Sequence, residues 1–119
     1  MAFVQGPEIW LNQLGVSVPC VVKTDRPAML DEAHRVFINY ETYYLADAEA
    51  LATFRAAPWR FTGKVTDPVS NVRFEPDGDS PRRTHKGRLF YFATAEHAET
   101  FAREPGAYAT PVVPYAGRM

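Results

Sequence analysis

The sequence has a single cysteine, Cys20, which cannot close an intrachain disulfide and cannot by itself hold a structural zinc, so the fold has to be held by packing. It also has no apolar run approaching the roughly 20 residues that span a bilayer. The stretch from Met1 to Glu8 lacks the basic region and long apolar core of a signal peptide. The expectation is a cytoplasmic chain with no membrane partner. Nor is there an excess of charge of one sign. Thirteen Lys and Arg against fourteen Asp and Glu leave a net charge of −1, which removes the main electrostatic argument for nucleic acid as a partner. A glycine-rich phosphate loop, a His-Glu-x-x-His helix, a nucleophile elbow and carboxylates paired at helical spacing are all missing. Cys20 with a histidine is the remaining nucleophile pairing, and a buried thiol is the usual state of such a cysteine. The reading leans away from an enzyme.

What is present is an ordinary globular composition. A chain of 119 residues, 46% hydrophobic and 23% charged, buries roughly two thirds of its unfolded surface, enough for one compact unit or two small repeats. A repeat is visible. An offset of 47 positions lays Tyr44-Leu45-Ala46-Asp47-Ala48-Glu49 on Tyr91-Phe92-Ala93-Thr94-Ala95-Glu96 and continues ungapped through Thr53/Thr100, Phe54/Phe101 and Pro58/Pro105. The matched aromatics and prolines are not a product of alanine richness.

Each half has the local signals of a hairpin followed by a helix. His34 to Tyr40 and Tyr43 to Ala46 are rich in β-branched and aromatic residues around Glu41-Thr42, and Arg82 to His85 and Arg88 to Phe92 flank Lys86-Gly87. Asp47 and Thr94 are good N-caps, Glu49 and Glu96 suit the first turn, and Pro58 and Pro105 stop the helices. Leu51 with Phe54, and His97 and Ala98 with Phe101, form inward stripes. Pro7 and Gly15 bracket a short helix carrying Ile9, Trp10 and Leu14, whose apolar face has to be covered by the repeats or by another chain, the second meaning a homodimer. Val69 to Phe74 reads as a strand, Pro76 to Pro81 as a loop, and Ala109 onward as an extended tail. The fold class is α+β: two tandem hairpin-plus-helix repeats sharing one core, with segments 1–17, 18–61, 62–108 and 109–119.

The second repeat resembles the YHS domain family. The residues that carry the likeness are Asp67-Pro68-Val69-Ser70, then Lys86-Gly87-Arg88-Leu89-Phe90-Tyr91-Phe92, the turn Ala93 to His97, Phe101, and Glu104-Pro105-Gly106-Ala107-Tyr108. The resemblance spans about residues 66–108, with 18–61 a more diverged copy. It implies a small α+β unit found alone, in tandem, or fused to metal-transporting ATPases and monooxygenases, with metal binding in cysteine-containing members. Here the three family cysteines are Ser70, Ala93 and His97, and in the first copy the last two are Ala46 and Ala50. No cofactor is therefore expected, since zinc sites take three or four Cys, His or carboxylate ligands. Any transition-metal site would draw on His97, His85 and Asp67.

His97, Tyr44, Tyr91 and Ser70 are the candidate ligand-binding residues. The basic group Arg82, Arg83, Lys86 and Arg88 is a phosphate or acidic-partner candidate that Glu75, Asp77 and Asp79 can neutralise. Exposure is expected for His34 and His85. The leading function is a non-catalytic YHS-type binding or accessory module for a protein partner or small ligand. Metal delivery or sensing, and an accessory subunit of a hydroxylase-type enzyme, are the alternatives.

Overall fold

Short strands and helices alternate along the chain. In the computed structural model, which describes residues 8–15 and 17–110 and only the backbone of Trp10, they run α1 (Glu8–Gln13), β1 (Arg35–Ile38), β2 (Glu41–Tyr44), α2 (Ala48–Ala56), α3 (Trp59–Thr62), β3 (Val65–Thr66), β4 (Arg73–Phe74), β5 (Arg82–His85), β6 (Arg88–Tyr91), α4 (Ala95–Arg103) and α5 (Pro105–Tyr108). The fold is α+β. The longer helices start where a side-chain oxygen satisfies an orphan amide. Asp47 accepts from the Ala50 N–H at 2.8 Å to open α2, and Thr94 accepts from the His97 N–H at 3.1 Å to open α4.

The bounds of β1 and β5, of β2 and β6, and of α2 and α4 differ by the same 47 positions as the sequence offset. Single hydrogen bonds follow it too. The Leu45 N–H donates to the His34 carbonyl and the Phe92 N–H to the Pro81 carbonyl, each at 2.8 Å. Both helices close with an amide, Ala57 or Glu104, returning to the carbonyl of Phe54 or Phe101.

The chain divides into two compact units, one formed by residues 1–36 and 42–61, the other by 37–41 and 62–119. In the first, Phe54 is buried between Tyr43 and Phe61, with ring centroids at 5.4 and 5.9 Å. Leu45, Ala50 and Cys20 are fully buried. In the second, Phe90, Phe92, Ala98 and Phe101 make the core, with Tyr40, Val69 and Tyr108 packed on it. The larger sheet has the order β2-β1-β6-β5, and β3 and β4 form a separate ladder. Ile38 pairs in parallel with Leu89, both inside the second unit.

Four expectations need correction. The first hairpin turns at Asn39-Tyr40 and not at Glu41-Thr42, because Asn39 takes a left-handed φ of 55°, as Lys86 does at 52° and Gly87 at 79° in the other hairpin. The strand expected over Val69–Phe74 is only Arg73–Phe74, because the Asp67 side chain accepts from the amides of Val69 and Ser70 and holds them in a turn. The prolines stop α2 and α4 as expected, but each is followed by a short helix, α3 and α5, with Pro105 at the first turn of α5. Finally, His34 and His85 are half-buried and not exposed: His34 bonds Asp31 at 2.7 Å, and His85 lies edge-on to Phe101.

Leu14, by contrast, is 72% exposed. The tail beyond Thr110 lies outside the described residues. Among those residues no helix is long and apolar enough to cross a membrane.

Candidate functional site

Two places in the fold gather the candidate residues, one in each unit. In the second unit the centre is Asp67, which is fully buried. Its Oδ1 accepts from the amides of Val69 at 2.8 Å and Ser70 at 3.2 Å. Its Oδ2 accepts from the Ala93 amide at 2.8 Å and lies 2.9 Å from Nδ1 of His97. Burial pushes the carboxyl up, but the hydrogen bonds from Ala93, His97, Val69 and Ser70 outweigh it and hold Asp67 below its ordinary value. An ionised Asp67 accepts only, so Nδ1 of His97 donates to it. The joint ties the β3–β4 turn to the start of α4.

Beside it stands Asn39, a residue that sequence reasoning missed. Its side-chain carbonyl accepts from the Tyr91 N–H at 2.8 Å, and its amide donates to the carbonyls of Tyr91 at 3.1 Å and Thr66 at 2.6 Å. The signal was available. The offset puts Asn39 opposite Lys86 of the Lys86-Gly87 turn, and asparagine is among the few side chains that tolerate a positive φ.

Ser70 is exposed, and its hydroxyl accepts from the Val72 amide at 3.3 Å. Tyr91 is fully buried, the Arg82 guanidinium sits 4.9 Å over its ring, and its hydroxyl has no hydrogen-bond partner among the described residues. The structure thus brings His97, Asp67 and Ser70 together and places His85 apart from them, against Phe101. This set does not fit a YHS-type metal centre. Both Asp67 oxygens are occupied by fixed donors, Ala93 has no ligand atom, and among the described residues no three His, Cys, Asp or Glu side chains converge.

In the first unit Tyr44 lines a cleft of about 460 Å³. Val18, Val21, Tyr43 and Phe61 give it apolar walls, and Thr24 and Thr42 add hydroxyls. The thiol of Cys20 accepts from the Lys23 amide at 3.2 Å, and Lys23 Nζ bonds Asp47 at 2.9 Å and Glu49 at 2.6 Å. That ties the cleft loop to the first turn of α2. The Tyr44 hydroxyl donates to Oε1 of Glu8 at 2.7 Å, and Arg35 donates to the other carboxylate oxygen. Burial works against the Glu8 anion, but Tyr44 and Arg35 outweigh it and lower its pKa. Burial and the Glu8 carboxylate together push the Tyr44 phenol up. Nothing in the sequence marked Glu8, because its partners lie 27 and 36 positions away.

No protein-family model, curated protein or solved structure matches this chain.

Proposed function

We propose that the chain is a cytoplasmic, non-catalytic binding module built from two YHS-like repeats, which takes a small, mainly apolar ligand in the cleft of its first unit. The observation that carries this reading is the 460 Å³ cleft, a volume within the usual range of about 300–1,000 Å³ for small-molecule sites. Apolar walls with two hydroxyls suit a ring-bearing ligand with one polar edge. Among the described residues lining it there is no histidine or carboxylate to act as a base near neutral pH, which supports binding without chemistry. Support for the repeats comes from the shared 47-position offset of six elements and from the parallel N-caps.

The test is a titration of the uniformly ¹⁵N-labelled protein with indole. Saturable shifts are expected at Val18, Cys20, Val21, Thr24, Thr42, Tyr43, Tyr44 and Phe61, and Val21→Trp, which fills the cleft, should weaken binding at least tenfold while leaving the thermal midpoint within a few degrees. Shifts scattered over the chain, or unchanged affinity in a folded Val21→Trp, would overturn the reading.

A further inference from the structure

From Ser80 to Ala95 the chain carries four Lys or Arg and no Asp or Glu, although the whole molecule is nearly neutral. Asp77 Oδ1 accepts from the Asp79 amide at 2.8 Å and from the Ser80 hydroxyl, and among the described residues Arg83, Lys86 and Arg88 make no ion pair.

Two of these cations stand at a cavity. A cleft of about 440 Å³ lies between the tip of the β5–β6 hairpin, which supplies His85, Lys86 and Arg88, and the end of α5, which supplies Gly106, Ala109 and Thr110. His85 and Arg88 are direct cross-strand partners, so their side chains share one face of the hairpin. Each is steadied by an aromatic ring. The Arg88 guanidinium lies 4.1 Å over Phe37, and His85 meets Phe101 edge-on at 6.2 Å. A guanidinium held on a ring keeps its N–H groups free for a forked contact with an oxyanion, and little side-chain freedom remains to be lost on binding. Gly106 and Ala109 leave the opposite wall open, so there is room for more than the anion alone.

We propose that this cleft in the second unit is a binding site for a small phosphate monoester, with Arg88 and Lys86 holding the phosphate, His85 as an additional imidazole contact, and the organic body lying toward Gly106 and Ala109. The proposal is independent of the apolar cleft of the first unit and concerns a different ligand.

The experiment is a ¹⁵N-HSQC titration of the full chain at pH 7.5 and constant ionic strength with inorganic phosphate, ribose 5-phosphate and sodium chloride. Saturable shifts at His85 to Arg88 and at Gly106, Ala109 and Thr110 are expected, tighter for the sugar phosphate than for phosphate and absent with chloride. Arg88→Gln and Arg88→Lys should each weaken binding at least tenfold, the second because it keeps the charge and loses the fork. Arg83→Gln, which removes a charge on the same hairpin outside the cleft, should change affinity less than twofold. Non-saturating shifts shared with chloride, an equal effect of Arg83→Gln, or full affinity in Arg88→Lys would each overturn the proposal. If phosphate binds as tightly as the sugar phosphate, the part that assigns the organic body falls.

Discussion

Asn39 replaces a strand residue by its side chain: with three hydrogen bonds it satisfies both backbone groups of Tyr91 and the Thr66 carbonyl. Each such bond contributes about 0.5–1.5 kcal/mol, so Asn39→Ala should destabilise the protein by about 2–4 kcal/mol in urea unfolding. Asn39→Gly accepts the positive φ and should recover about 1 kcal/mol of that, and no more. Full recovery in the glycine variant would assign the residue's role to the backbone alone. Asp67 sets the acid limit of the second unit. Its folded pKa is depressed, so its contribution is fully present above the unfolded value of about 3.9 and is lost as pH falls through the folded value. Asp67→Asn should cost at least about 3 kcal/mol at pH 7 and flatten the acid limb of the stability profile below pH 4, read by circular dichroism. The same occupied oxygens lead to a chemical expectation. Tag-free protein should carry no stoichiometric transition metal by elemental analysis, and about one metal per chain, lost on His97→Ala, would promote the metal-handling reading.

At the scale of the element, each long helix is fixed by one cap and one phenylalanine. Phe54 and Phe101 stand at equivalent positions of α2 and α4 and are 0% and 1% exposed; Phe54 packs against the rings of Tyr43 and Phe61, and Phe101 against those of His85, Phe90, Phe92 and Tyr108, at 5.0–6.4 Å. Phe54→Ala and Phe101→Ala should each lower stability by roughly 3–5 kcal/mol by leaving a ring-sized cavity. A loss below about 1 kcal/mol for either would remove that helix's core contact from the account. The caps, the helix ends and the Lys86-Gly87 turn were all legible in the sequence, because each depends on residues within about five positions of one another. The partner that Asn39 finds and the shortened β4 were not, since both follow from a polar side chain choosing a partner, Tyr91 in one case and the Val69 and Ser70 amides in the other.

At the scale of the whole molecule, Leu14 is 72% exposed just past α1, and Ile9 within that helix is half-buried. Sedimentation velocity at tens of micromolar tests the homodimer expectation: a dimer that Leu14→Asp dissociates would support it, and a monomer at that concentration would refute it. By itself the sequence determined the α+β class, the ends of the two longer helices and the residues that cap and fill them, since propensity, capping and side-chain periodicity act over one or two turns of chain. Only the tertiary structure decided which buried polar groups meet. Asp67 finds His97 across 30 positions, Asn39 finds Tyr91 across 52 and the Tyr40 hydroxyl finds the Tyr108 carbonyl across 68. A buried donor or acceptor has to be satisfied by whatever packing brings to it, and no local preference specifies that partner. The two clefts were decided at the same level: Phe61 facing Val18 and Val21, and Arg88 facing Gly106, are arrangements of whole elements.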